Sequence, residues 1–193
     1  LVVSVAVVGS ASTKGAVRRS GARPGDKVFV TGSLGGAASA LSVLRGGGIP
    51  PRSSLARLRR PAPRIDEGLA AAEGHASSMI DVSDGLAGEL AHLCQESGVG
   101  MRLDARAIPV APGASLEQAL GGGDDYELVF TAPDAATVRR SFARRGLVAP
   151  SAVGEVVAGG GLVLVDDSRE EPLAAAGWEH RTAPRRIGGA APW

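Results

Sequence analysis

The stretch that decides the fold is residues 79–90, which read MIDVSDGLAGEL. It begins with apolar residues typical of a strand end, and it then places Asp81, Ser83 and Asp84 within four positions. It continues as an amphipathic helix with Leu86 and Leu90 on one face. Carboxylates this close repel each other unless a cation lies between them. Mg²⁺ is the expected cation, because it prefers oxygen ligands and is often shared between carboxylates and phosphates.

The same residues also have a purely structural interpretation. Ser and Asp are favoured N-cap residues, so Ser83 or Asp84 could accept hydrogen bonds from the first N–H groups of the helix. Neither residue has Glu or Gln three positions later to complete a capping box. The spacing alone therefore leaves helix capping and metal–phosphate binding open.

The bulk composition limits the classes of protein to consider. The chain has 193 residues, 44% of them hydrophobic, which suffices for one sizeable domain with a packed core. A net charge of +1 gives no general reason to expect nucleic acid or an acidic membrane surface as partner. No run of about 18 apolar residues predicts a membrane-spanning helix. The single cysteine, Cys94, is expected in the core, and it fits a reducing cytoplasm.

Three further patterns lead to structural expectations. The Gly-rich bend at 32–36 opens a helix but lacks the Lys-Ser/Thr ending of a P-loop, so we expect it to serve tight strand–helix packing rather than phosphate binding. The apolar runs at 153–157 and 162–165 are expected to form strands that pair with each other. A solvated face or a domain edge is expected for four arginines without interleaved aromatics: Arg57, Arg59, Arg60 and Arg64.

Several short motifs, in this order along the chain, resemble the thiamine-monophosphate kinase family. They are RSGARPGD at 19–26 with VTGSLG at 30–35, RPAPR at 60–64, IDVSDGL at 80–86 and GGDDYEL at 122–128. Each motif is short, but their combination over nearly the whole chain is specific. In that family the motifs belong to the C-terminal part of the enzyme.

The resemblance implies a fold and a domain organisation. Strands that alternate with helices indicate an α/β or α+β protein. The family implies α+β with a mixed or antiparallel sheet and helices on one side, as in the C-terminal domain of the aminoimidazole-ribonucleotide-synthetase-like superfamily. We expect residues 1–15 to hold a remnant strand of a missing N-terminal domain and a linker, residues 16–181 to form the C-terminal kinase domain, and residues 182–193 to be a loose tail.

The resemblance also implies how metal and nucleotide are bound. Asp81 and Asp84 stand where the family binds several Mg²⁺ ions. Ser83 is implied to contact a phosphate of ATP. Arg19 is implied to contact ATP as well, which suits a guanidinium because it grips phosphate through two parallel hydrogen bonds.

Thiamine monophosphate is the second implied ligand. Asp124 takes the position at which an acidic residue, usually Glu, contacts the thiamine, and its side chain is one methylene shorter. Trp178 is the local aromatic candidate for the substrate, with lone packing as the alternative. The implied reaction moves the γ-phosphoryl group of ATP to thiamine monophosphate and gives thiamine diphosphate. It needs no side-chain nucleophile, so no catalytic residue is assigned.

The implied partners are ATP and thiamine monophosphate, and the implied assembly is a homodimer through the missing N-terminal domain. Neither a nucleic acid nor a membrane is expected, and the location is expected to be cytoplasmic. Two alternatives stay open. One is a related ATP-using synthase of the same superfamily, and the other is a non-catalytic binding or assembly module that pairs through an exposed sheet edge.

Overall fold

The computed structural model describes residues 2–10, 15–167 and 169–175, and one seven-stranded sheet is its centre. The strands are β1 (Lys27–Val30), β2 (Ser78–Val82), β3 (Gly100–Asp104), β4 (Glu127–Ala132), β5 (Ser151–Val157), β6 (Gly161–Asp166) and β7 (Arg169–Pro172). They lie in the order β2-β4-β1-β5-β3-β6-β7. Each neighbouring pair is antiparallel except β3 and β6, which are parallel, so the sheet is mixed.

Six helices connect these strands within the described ranges. They are α1 (Gly36–Arg45), α2 (Arg52–Arg59), α3 (Ile65–Glu73), α4 (Leu86–Ser97), α5 (Leu116–Gly121) and α6 (Ala135–Arg144). Local sequence fixes several of their ends. Ser115 and Gln118 form a capping box at the start of α5, Asp134 caps α6, and Gly98 ends α4 in the left-handed conformation that glycine adopts most easily.

Successive strand residues point to opposite faces of the sheet, and each face has its own core. Val28 and Val30 of β1 join the larger core, which α4 and α5 cover with side chains such as Leu90. Phe29, between the two valines, points to the other face. There it joins a smaller core with Phe130 and with residues of α3 and α6 such as Phe142.

The expected α+β class and mixed sheet are therefore confirmed, with one correction to the layering. Helices do not lie on one side alone, since α3 and α6 pack on the face opposite α4. The reason is the pair of large apolar side chains on that face, Phe29 and Phe130, whose rings stack 5.2 Å apart and would otherwise meet water.

The expected pairing of β5 with β6 is wrong, because β3 lies between them. The link after β5 must therefore cross the start of β3 at Gly100. A Cβ on Gly100 would lie 3.1 Å from the carbonyl oxygen of Gly161 and 3.2 Å from Gly160, closer than most Cβ atoms approach other atoms, so glycine suits the crossing. The short glycine link looks like a hairpin turn in sequence, but it serves as a crossover.

The strand expected near the start of the chain is not formed. Residues 2–10 have no regular secondary structure, and the side chains of Val2, Val5 and Val8 are 80–97% exposed. A strand gains its stability by pairing, and no described strand lies beside this segment.

Two expectations from composition can be compared with the structure. Cys94 is buried in the larger core, and burial raises the pKa of its thiol to about 11, as expected for a packing residue. None of the helices in the described ranges combines the length and the apolar character that a membrane crossing requires.

The smaller core provides a direct test of the second helical layer. Phe130 is fully buried and stacks against both Phe29 and Phe142. We expect Phe130→Ala to lower the free energy of unfolding by about 3–5 kcal/mol, measured by urea denaturation, because it leaves a cavity between sheet and helices. Val148→Ala, at a side chain that is 91% exposed, should change it by less than about 0.5 kcal/mol. Equal effects of the two variants would contradict the layering.

Candidate active site

The acidic turn lies between the end of β2 at Val82 and the start of α4 at Leu86. Gly85 is the N-cap of the helix, with φ 118°, and neither Ser83 nor Asp84 accepts a hydrogen bond from the described first turn. The capping interpretation of these two residues is therefore wrong. Their side chains are available for another purpose.

Glu89, in the first turn of α4, is hydrogen-bonded to the acidic turn. This carboxylate is 4% exposed, and it accepts hydrogen bonds from the Ser83 hydroxyl at 3.2 Å and from the Asp84 N–H at 3.3 Å. A negative charge at the N-terminus of a helix is also favoured by the helix dipole. Sequence analysis missed this role, although an acidic residue among the buried positions of an amphipathic helix is the signal that could have shown it.

Asp81 and Asp84 are exposed at the turn, and in the described part of the chain no hydrogen bond or salt bridge reaches either carboxylate. Among the described residues, no group of three acidic, histidine or cysteine side chains stands close enough to hold a metal ion by itself. Two free carboxylates fit the usual Mg²⁺ site, in which one or two carboxylates act together with water and substrate phosphates. Within the described residues, the turn thus offers two unpaired carboxylates to a ligand.

The second component of the site is the segment that enters β4. Asp124 N–H donates to the Ser83 carbonyl at 2.8 Å, and Tyr126 N–H donates to the Val82 carbonyl at 2.9 Å, so this segment is tied to the acidic turn. Both residues have left-handed backbones, with φ 65° at Asp124 and φ 51° at Tyr126. For residues with a Cβ such conformations cost roughly 1–3 kcal/mol each and tend to occur at functional sites.

Asp125 points the other way, into the protein. It is 4% exposed, and it accepts hydrogen bonds from the N–H groups of Gly35 at 2.5 Å and Ala37 at 3.3 Å, at the start of α1. Burial raises the pKa of this carboxyl, while the two N–H groups and Arg57 act in the opposite direction. Because a protein carboxylate already occupies this helix start, the Gly-rich bend serves packing, as expected.

Glu127 is fully buried and forms the central ion-pair cluster of the site. It accepts hydrogen bonds from Thr31 Oγ1 at 2.8 Å, Arg57 Nη1 at 2.9 Å and Arg64 Nη2 at 2.6 Å. A Cβ on Gly32 would lie 2.2 Å from its Oε1. The expectation of a solvated face therefore holds for Arg59 and Arg60, which are exposed, and is wrong for Arg57 and Arg64.

The two components enclose a cleft of about 430 Å³. One side of it is polar, with Ser83, Asp84 and Asp124, and Tyr126 beside them donates its hydroxyl to Asp124 Oδ1 at 3.3 Å. The other side is formed mainly by apolar side chains of α1 and α2, namely Ala37, Ala38, Leu41 and Leu58, together with Arg45. The arrangement suits a ligand that is partly apolar and partly cationic or metal-bound.

The structure brings most of the expected site residues together. Ser83, Asp84 and Asp124 line one cleft, and Asp81 is next to it at the end of β2. Arg19 is not part of the cleft, because its carbonyl accepts a hydrogen bond from Ser97 at the far end of α4, about 18 Å along a helix of 12 residues. Trp178 lies outside the described residues.

Comparisons with known proteins agree with this architecture. A family model described as AIR synthase related protein, C-terminal domain, matches residues 23–167. The thiamine-monophosphate kinase of Salmonella typhimurium is 42% identical over 132 residues, which is 62% of this chain and 40% of that protein. The Escherichia coli K12 thiamine-monophosphate kinase is 35% identical over 189 residues, which is 88% of this chain and 56% of that protein. The chain thus spans about half the length of these curated relatives.

A solved structure gives the same result in three dimensions. AaThiL complexed with AMPPCP and TMP superposes with a TM-score of 0.70 and 30% identity, over 85% of this chain and 54% of that one. The Escherichia coli HypE hydrogenase maturation protein also superposes, with a TM-score of 0.66, but at 19% identity this likeness concerns the fold alone.

The buried cluster around Glu127 should dominate the stability of the site. We expect Glu127→Gln to lower the free energy of unfolding by about 3–5 kcal/mol, because it leaves Arg57 without its salt-bridge partner and Arg64 with Glu67 alone. Glu155→Gln is the matched control, since Glu155 is 42% exposed in its pair with Lys27 and should contribute less than about 1 kcal/mol. Similar losses in urea denaturation of both variants would contradict the role of the cluster.

Tyr126 is the only tyrosine in the chain, so the ultraviolet absorbance of its phenolate reports on the cleft directly. Burial raises the pKa of Tyr126, and the charges of Asp124, Asp81 and Asp84 raise it further. We expect a titration midpoint above the ordinary value of about 10 when divalent ions are removed. Asp124→Asn should lower the midpoint, whereas Asp66→Asn, on the exposed surface, should not. A midpoint that ignores Asp124 would contradict the geometry of the cleft.

Proposed function

Because the chain belongs to the AIR synthase related family through this C-terminal domain, we propose that it is the C-terminal half of a thiamine-monophosphate kinase. The reaction is transfer of the γ-phosphoryl group of ATP to the phosphate of thiamine monophosphate. The observation that carries the proposal is the convergence of Ser83, Asp84 and Asp124 on one cleft, with their side chains free of helix capping. The similarity to thiamine-monophosphate kinases supports the choice of thiamine monophosphate as acceptor.

The chemical problem of this reaction is charge, since donor and acceptor are both anionic. Catalysis then depends on alignment and on neutralising the phosphates, with little covalent work for the protein. Mg²⁺ ions, when bound, would supply that neutralisation. On this chain Asp81 and Asp84 would hold them from one side, and the remaining ligands would come from phosphates, water and the rest of the longer protein.

The other residues of the proposed site have distinct tasks. Ser83 would donate its hydroxyl to a phosphate of ATP, and its single proton would leave Glu89 Oε1, its acceptor at 3.2 Å, to do so. Asp124 would hold the thiamine, and the bond from Tyr126 keeps its carboxylate in the cleft. Arg19 and Trp178 belong to the proposal as further ATP and thiamine contacts through the family motifs. No residue is proposed as a nucleophile.

The organisation of the longer protein is part of the same proposal. Residues 1–15 would connect to a preceding domain, residues 16–181 would be the kinase domain described above, and residues 182–193 would be a tail. The preceding domain would complete the metal site and form a homodimer. ATP and thiamine monophosphate would be the ligands, in the cytoplasm.

Asp84 provides the most direct test of the metal role. In the longer protein, Asp84→Asn should reduce turnover by more than about 100-fold, because even groups that only orient metal ligands are worth 10- to 100-fold. The Mg²⁺ concentration for half-maximal activity should rise at the same time. Thiamine diphosphate formation across a Mg²⁺ series measures both quantities.

Two controls make this test specific. Asp66→Asn, at an exposed carboxylate on α3, should leave turnover and the Mg²⁺ dependence unchanged. The 193-residue chain by itself should form no thiamine diphosphate, since its metal site is partial. An unaltered Mg²⁺ dependence in Asp84→Asn would remove this residue from the metal site, and robust turnover by the isolated chain would refute the two-part site.

A further inference from the structure

The role of Tyr126 goes beyond holding a neighbour in place. Its side chain is 40% exposed, which is unusual in a chain whose described phenylalanines are all buried. Its ring lines the cleft, and its hydroxyl is anchored on Asp124 Oδ1 at 3.3 Å. Its backbone is held at φ 51° by the N–H bond to Val82. The protein therefore maintains a left-handed backbone conformation that places an aromatic side chain at the cleft.

The surroundings of this ring specify the charge of the ligand. Asp84 and Asp124 line the same cleft with one guanidinium, that of Arg45, and Asp81 acts on the Tyr126 hydroxyl together with the two carboxylates, so negative charge exceeds positive charge around the ring. An aromatic face is electron-rich, and carboxylates beside it add to its attraction for a cation. The apolar side chains of Leu41 and Leu58 across the cleft favour a flat organic cation over a small hydrated ion.

We infer that Tyr126 is a specificity-determining residue whose ring packs against the flat cationic ring of the substrate. Resting on the proposed function, this ring is the thiazolium of thiamine, with its permanent positive charge. Asp124 supplies the counter-charge, and the Tyr126 hydroxyl fixes the position of that carboxylate. The contact selects for a cationic ring and against a neutral ring of the same shape.

The test compares thiamine with its neutral thiophene isostere, in which carbon replaces the charged ring nitrogen. Isothermal titration calorimetry on the 193-residue chain measures both affinities, since the described cleft is built from this chain alone. The wild type should bind thiamine more tightly than the isostere. Tyr126→Leu should weaken thiamine binding about fivefold or more and the isostere much less, as expected for loss of a cation–π contact. Tyr126→Phe keeps the ring and should stay within about threefold of the wild type.

A structural measurement keeps the inference testable if the leucine variant does not fold. Nuclear Overhauser contacts should connect the ring protons of Tyr126, the only tyrosine, with thiazolium protons of bound thiamine. Val148→Ala, on the exposed surface, should bind as the wild type does. The inference on Tyr126 is overturned if thiamine binds without these contacts, or if a folded Tyr126→Leu keeps the preference for thiamine over the isostere. If the wild type binds neither ligand, the inference on Tyr126 fails, whereas the proposed function is decided by turnover of the longer protein.

Discussion

The structure depends on the burial of one carboxylate, that of Glu127. An unpaired ion at a fully buried position would cost several kcal/mol, so its partners must come to it. Arg57 on α2 and Arg64 before α3 both bind the same oxygen of Glu127, and Arg57 also donates to the Ser33 carbonyl. These contacts position the chain between Ser33 and Arg64. The constraint fixes α2, and thereby the apolar wall that Leu58 contributes to the cleft.

In the segment from 124 to 127, alternate side chains point in opposite directions. Asp125 and Glu127 point inward and hold α1 and α2, while Asp124 and Tyr126 point into the cleft. The left-handed backbone of the two exposed residues is tolerated because the two buried ones are held so firmly. A site on this segment has the rigidity of the core, although it is built at a strand entrance rather than inside a strand.

Local patterns in the sequence were sufficient for the strand end before the acidic turn and for the helix that follows it. The apolar spacing after Asp84 predicted α4, because this signal depends on neighbouring residues only. The order of β5, β3 and β6 could not be predicted in this way, since a short glycine link is compatible with a hairpin and with a crossover. The buried partners of Glu127 were missed because Arg57 and Arg64 look like surface residues in sequence, and only long-range pairing distinguishes them from Arg59 and Arg60.

The environments of the acidic residues explain why only some of them are free to bind a ligand. Three of them are buried and already accept hydrogen bonds: Glu89, Asp125 and Glu127. Their donors are backbone N–H groups for Glu89 and Asp125, hydroxyl groups for Glu89 and Glu127, and guanidinium groups for Glu127. Asp81 and Asp84 stay in water, where their mutual repulsion is weak. In the proposed function, Asp81 and Asp84 would hold a shared cation, because no described side chain already satisfies their oxygens.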